Sequence, residues 1–356
     1  MTADNVVSAC GAAILGTALM RRFPAVQLSG PLVLPIGIVA LLSLSIAAHG
    51  ADVLFNVARF AGVALLCVAV YLGTAEDRRS ISIILNTIVM ISSLIIVAQP
   101  ITSWPAPWGN VEGEGLRYGG LFGHPNFAAY TLGLYALYQV IRLGPLAKRI
   151  VLIGPPVAAL MLSGSRTAII VFGIVMLIAV AVRPKTVWPF VAGSALVAVV
   201  VGATFLSRFE DFFQTGGFAG TANAGGWRFI QWQHALDLAP RPNIWGIGWG
   251  MSEKYLPQGL GVHNGFLQFY VETGIVGCLI FAIALVSAIA STARSLTASL
   301  LWVFAIVTTF FDPVLMYPSS IAVLVTILSV TYAKNLSRSP QSDSERLHFK
   351  PWLARI

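Results

Sequence analysis

Long apolar stretches alternate with short polar links along most of this chain. The apolar runs fall at 4–20, 31–48, 53–75, 81–98, 126–141, 150–164, 167–182, 187–206, 265–290, 298–311 and 320–334. An α-helix needs roughly 17–25 such residues to cross a hydrocarbon layer, so the pattern predicts an all-α protein: a polytopic transmembrane bundle of about eleven spans, with ten to twelve as the range. Two polar intervals are long, 99–125 and 207–262, and they are rich in Trp, Gly and Pro without a charged low-complexity signature. Ordered external loops are expected there. Inside the larger one, Trp227 to Ala239 carries helical spacing and ends at Pro240 and Pro242, which predicts a short helix lying along the membrane surface. The domain reading is therefore one integral membrane domain over 1–334, with external loops 99–125 and 207–262, followed by a basic cytoplasmic tail at 335–356.

Composition supports the membrane reading. Of the 356 residues, 57% are hydrophobic and 10% charged, against about 25% charged in a soluble domain. The net charge of +8 raises nucleic acid as a partner, but the basic residues are dispersed at the ends of apolar runs. They are better read as topology signals. Alternating the runs puts Arg21, Arg22, Arg78, Arg79, Arg142, Lys148, Arg149, Arg183, Lys185, Arg294 and the tail on one side. The positive-inside rule makes that side the cytoplasm, with the N-terminus outside and the C-terminus inside. Because Arg21-Arg22 follow the first apolar run, that run reads as a span and not as a cleaved leader. Cys10, Cys67 and Cys278 all lie in apolar runs, which points to neither a disulfide framework nor a metal site.

The opposite face collects the unusual residues. His263 stands where the large polar interval enters an apolar run, and ideal helical spacing would stack Tyr270, Gly274 and Gly277 beneath it as a small, flat packing seam. A near-neutral imidazole at that boundary can act as a base, or it can cap a helix or sit in the interfacial belt. Arg166 ends the sixth apolar run at that face and Arg228 opens the surface helix, and a guanidinium fork there can hold a lipid-linked phosphate or merely contact headgroups. His124, before Pro125 and Asn126, reads as a turn with Asn126 as a helix cap, in support of the site. His234 reads as a hydrated interfacial residue. Arg59 falls inside an apolar run, and Glu272 is a candidate partner for it. The Trp245-Gly246-Ile247-Gly248-Trp249-Gly250 stretch lacks the Lys and Ser/Thr of a phosphate loop and reads as a tight turn.

These residues together resemble the O-antigen ligase and polymerase superfamily of bacterial membrane glycosyltransferases. The resemblance rests on His263 and Asn264 followed by Gly274 and Gly277, and on Leu121 to Ala128 around His124. Ser163-Gly164-Ser165-Arg166 adds to it, as does Arg228 with Trp232 and the later Asn243 to Gly248; it covers about residues 110 to 285. It implies transfer of a glycan from an undecaprenyl-pyrophosphate carrier to a glycan or lipid acceptor hydroxyl, at the outer face of the cytoplasmic membrane. No metal or other cofactor is implied. His263 would take the acceptor proton and Arg166 and Arg228 would hold the pyrophosphate, supported by His124, Asn126, Asn264 and Trp232. Direct attack would invert the anomeric configuration. O-antigen ligation, polysaccharide polymerisation and protein glycosylation share these motifs. A transporter or flippase for a lipid-linked glycan is the reading from another class, since Arg59 and Glu272 could line a path.

Overall fold

The computed structural model describes residues 33–49, 53–107, 116–142, 145–184, 186–193, 224–240, 242–256, 261–292 and 295–336. The expected first span at 4–20 with Arg21 and Arg22 lies outside the described residues, as do 207–223 of the large polar interval and all of the tail beyond Leu336. Among the described residues the chain is helical. Its helices are α1 (Val33–His49), α2 (Leu54–Thr102), α3 (Pro125–Ile141), α4 (Leu146–Leu162), α5 (Arg166–Val182), α6 (Ala224–Leu238), α7 (Ser252–Tyr255), α8 (Gly265–Thr292), α9 (Leu296–Thr309) and α10 (Pro318–Leu336). A further helical stretch occupies 186–193.

Among the described residues two helices are long and apolar enough to cross a bilayer, the second half of α2 from Asp77 to Thr102 and α8. The faces they leave uncovered are apolar. Ile83, Ile84, Ile88, Ile91 and Leu94 are exposed on α2, Ile275, Leu279, Ile283 and Val286 on α8, and Ile170, Ile174, Leu177 and Ile178 on α5. Water would not tolerate three such stripes at helical spacing, whereas lipid solvates them. This is a membrane protein.

The apolar runs at 53–75 and 81–98 form one continuous element, interrupted at Asp77, whose φ of −137° and ψ of 72° leave helical geometry. Its carboxylate then caps the second half, accepting from the Ser80 backbone N–H at 2.9 Å and from the Ser80 hydroxyl. At the centre of the bundle stands α3, buried on nearly every side and packed by α4, α5, α9 and α10. A helix without a polar face suits that position. Its polar side chains are paired within the bundle: Tyr135 Oη and Gln139 Nε2 donate to Asn86 Oδ1 at 2.8 and 3.0 Å, and Thr131 meets Ser320 at 3.2 Å.

The two ends of the bundle differ. At one end Arg149 is buried, its Nε donating to the Gln139 carbonyl at 3.1 Å and its Nη2 to the carbonyls of Val140 and, at 3.3 Å, Thr186. A guanidinium on the last carbonyls of α3 satisfies groups a helix end leaves open and complements its dipole. Residues 124, 163 and 166 mark the other end, because α3, α4 and α5 run antiparallel in turn over 17 residues each, about 25 Å.

The stacked seam expected beneath His263 is not formed. Gly274 has φ of 66° and ψ of −169° and breaks α8, so Tyr270 and Gly277 do not share one helical register. Residues 243–248 fill the break. Ile247 and Gly248 donate to the carbonyls of Val271 and Glu272 at 2.9 and 3.0 Å, while Ile275 and Val276 donate to those of Asn243 and Ile244 at 2.9 and 3.3 Å. Backbone groups that the break would orphan are thus paired. Gly277 does sit in a helix seam, against Leu41 of α1.

Candidate functional site

The site is built at the end of the bundle where α3, α5 and α8 begin. His124, not Asn126, is the N-cap of α3: its Nδ1 accepts from the Asn126 backbone N–H at 3.1 Å, with Pro125 in the first turn, where a missing N–H costs nothing. This frees the Asn126 side chain. Its Oδ1 accepts from Arg117 Nη2 at 2.5 Å, and its Nδ2 donates to Asp312 Oδ2 at 3.3 Å. Arg117 also donates through Nε to the Ser163 carbonyl at 3.1 Å, tying the link before α5 to the start of α3.

Asp312 is the centre of the arrangement. It follows α9 and precedes the 3-10 turn Val314–Met316, and its side chain is 1% exposed. Oδ1 pairs with His263 Nδ1 at 3.0 Å, and Tyr130 Oη donates to Oδ2 at 2.5 Å. Arg228 Nη2 lies 3.7 Å from Oδ2. Burial alone would raise this carboxyl, but the hydrogen bond from His263 and the charge of Arg228 outweigh it and hold the group well below the usual carboxylate range. An ionised carboxylate only accepts, so the Nδ1 proton of His263 points at Asp312. The Nε2 nitrogen is left for other chemistry.

His263 itself lies just outside α8. Its φ of 52° is left-handed, a conformation that is strained for a residue with a Cβ. The helix cap is Asn264, whose Oδ1 accepts from the Leu267 N–H at 3.0 Å. Gly265 then allows close approach, since a Cβ there would stand 2.5 Å from Thr309 and 2.9 Å from Pro313. The start of α8 is thereby pressed against the loop that carries Asp312.

Arg228 reaches Asp312 from α6, the helix expected over 227–239, and is 27% exposed. Arg166 is the first residue of α5 and half-buried, one position after Ser165, whose side chain interacts with that of Tyr130. The structure therefore joins Arg228 and His263 through one carboxylate and places the backbone of Arg166 at the same end. Trp232 lies one turn beyond Arg228 on α6 and meets Phe229 edge-on at 5.1 Å between ring centroids. His234 is exposed. Burial is the main cause holding the His124 imidazole down at about 4, so it stays neutral beside Asp312, Arg117 and His263.

Asp312, Tyr130 and Arg117 were not singled out by sequence reasoning. One signal was available: Asp312 is a lone carboxylate in the otherwise uncharged stretch from Leu296 to Thr331. The expected partnership of Arg59 with Glu272 can be followed from the Glu272 side alone. The Arg59 side chain lies outside the described residues, and Glu272 is bound to the large loop, accepting from Gly250 N–H at 2.7 Å, Ser252 Oγ at 2.5 Å and Gln268 Nε2 at 2.9 Å. Gly246 and Gly248 have φ of 78° and 108°, and a Cβ on Gly246 would stand 2.3 Å from the Glu272 carbonyl. The glycine-rich stretch is a turn that lets backbone meet backbone. Among the described residues no group of three or more His, Cys, Asp or Glu side chains is arranged for a metal ion.

Residues 151–282 match the family model described as O-antigen ligase. That match supports the resemblance to the O-antigen ligase/polymerase superfamily. No curated protein matches the chain. The matched segment contains Arg166, Arg228 and His263, while His124, Asn126, Tyr130 and Asp312 come from outside it. The matched family suggests glycosyl transfer of the ligase or polymerase kind.

Proposed function

We propose that the protein transfers a glycan from an undecaprenyl-pyrophosphate carrier to an acceptor hydroxyl at the outer face of the bacterial cytoplasmic membrane, as an O-antigen ligase or polysaccharide polymerase. The observation that carries this reading is the contact of His263 and Arg228 with one buried carboxylate, Asp312. With Nδ1 held by Asp312, neutral His263 presents Nε2 to the acceptor O–H. The proton moves to Nε2 as the oxygen bonds to the anomeric carbon, and the bond from that carbon to the pyrophosphate oxygen breaks. Undecaprenyl pyrophosphate leaves with the bonding electrons, and the anomeric configuration inverts. Arg228 and Arg166 neutralise the charge that develops on the leaving group, so no metal or other cofactor is invoked. His124, Asn126 and Asn264 set the positions of these groups through the capping and carboxylate contacts described above, and Trp232 borders Arg228.

The same reading includes about eleven spans, an outside N-terminus, a cytoplasmic tail at 335–356 and external loops 99–125 and 207–262. Arg142, Arg149 and Arg183 at the end of the bundle opposite His263 favour it. A break in α8 could instead indicate a transporter, but here the opened backbone is occupied by residues 243–248 of the same chain.

In reconstituted membranes supplied with the lipid-linked glycan, His263→Ala should abolish transfer while leaving carrier binding intact. Asp312→Asn, nearly the same shape but without the charge, should lower the rate by about 10²–10⁴, the usual contribution of a positioned base. Arg166→Ala or Arg228→Ala should weaken binding of undecaprenyl pyrophosphate. Full transfer by the His263→Ala protein would overturn the assignment.

A further inference from the structure

Four buried polar atoms of the large loop have no hydrogen-bond partner among the described residues: both amide atoms of Gln231, Nε1 of Trp232 and Oδ1 of Asn243. Gln231 is fully buried. Helical spacing puts it and Trp232 three and four residues after Arg228, on the same face, with Ala235 continuing that face inward and Phe229, Leu236 and His234 turned out. The face meets α8. Ala235 belongs to an apolar cluster with Ala239, Leu256, Val262 and Val271, against which Trp232 and Tyr270 pack, and the Asn243 amide donates to the Tyr270 carbonyl at 2.6 Å.

Unpaired buried groups of this kind are costly and rare in folded proteins, so they call for a partner. The cluster that shuts them in is small and meets the main core through Ile247. An ion pair of 3.7 Å, from Arg228 to Asp312, also ties α6 to the site. A ligand entering between α6 and α8 would meet an amide donor, two amide acceptors and an indole N–H, from Gln231, Trp232 and Asn243. Sugar hydroxyls, each both donor and acceptor, match that set. The position matches as well, because one helical turn separates these groups from Arg228, about 5–6 Å between Cβ atoms.

We infer that the seam between α6 and α8, with Gln231, Trp232 and Asn243, is a carbohydrate subsite that binds the donor glycan at the sugar next to its pyrophosphate. This rests on the role proposed above for Arg228. The test uses purified protein in lipid nanodiscs and two ligands: undecaprenyl pyrophosphate, and the lipid-linked glycan extracted from cells that carry only the His263→Ala protein. Gln231→Leu should weaken binding of the extracted glycan donor at least tenfold and change undecaprenyl pyrophosphate binding less than twofold. Its melting temperature should hold or rise, because the unpaired amide is gone. Trp232→Phe, which keeps the ring and removes the N–H, should weaken the donor about threefold.

Unchanged donor affinity in Gln231→Leu would overturn the subsite, and with a lowered melting temperature it would assign the orphans to a buried water. Equal weakening of both ligands would overturn it too. Arg228→Ala tests the underlying reading separately: undiminished binding of undecaprenyl pyrophosphate would remove the pyrophosphate role, whatever the Gln231 variant does.

Discussion

At Asp312 the donors of four side chains converge on two oxygens: Asn126 and Tyr130 from α3, Arg228 from α6 and His263 from the link before α8. That convergence, more than any single residue, defines the direction in which His263 faces. A second histidine illustrates the opposite use of the same side chain. His124 serves its helix only while its Nδ1 lone pair is free to accept, and burial lowers its pKa from 6.5 to about 4. Between those values an unfolded chain takes up a proton that the folded protein refuses, so stability must fall as pH drops from about 6.5 toward 4. His124→Asn keeps an acceptor at the cap and removes the titration. Unfolding measured in detergent from pH 7.5 to 4.5 should show a flatter pH dependence for the variant than for the parent across that window. An identical slope would mean that His124 is protonated in the folded state.

Among the elements, α8 carries the most information because it is broken. Its first half belongs to the loop as much as to the bundle: Glu272 holds Gly250 and Ser252, and residues 243–248 lie in the gap at Gly274. The conformation at Gly274, with positive φ and extended ψ, is essentially confined to glycine, and a Cβ there would stand 2.3 Å from the Ile244 carbonyl oxygen. Gly274→Ala should therefore cost about 1–3 kcal/mol of strain before any clash is counted. It should also lower the melting temperature and expose the 243–256 segment to protease. Gly173→Ala is the control. A Cβ at that position in α5 meets nothing within 4 Å, and alanine is the better helix former, so stability should be unchanged or slightly raised.

For the molecule as a whole, the proposed orientation separates two exposed lysines. Lys254 lies in α7 on the loop that docks against α8, and Lys148 lies near the start of α4, beside the buried Arg149. With Cys10, Cys67 and Cys278 replaced by alanine, Lys254→Cys should react with a membrane-impermeant maleimide in spheroplasts. Lys148→Cys should react only after permeabilisation. The reverse pattern would invert the topology and move the site to the cytoplasm.

Several elements could be read directly from the one-dimensional pattern. The apolar runs at 31–48, 126–141, 150–164, 167–182, 298–311 and 320–334 match α1, α3, α4, α5, α9 and α10 closely, because a helix in lipid satisfies its own backbone and needs only a long enough apolar run. His263, Arg166 and Arg228 could be singled out because charge and imidazole are expensive at a membrane boundary and so stand out from their surroundings. Other features depended on contacts between distant parts of the chain. The pairing of His263 with Asp312 spans 49 residues and that of Tyr130 with Asp312 spans 182, and no local periodicity encodes such a meeting. The break at Gly274 was misread as helix for the same reason: its cause is the backbone of residues 243–248, which only the folded chain brings there. Sequence by itself determined most of the described helices, the membrane and the end of the bundle at which the reactive residues gather. Tertiary structure alone decided which carboxylate orients the histidine, because side-chain hydrogen bonds are set by packing in three dimensions.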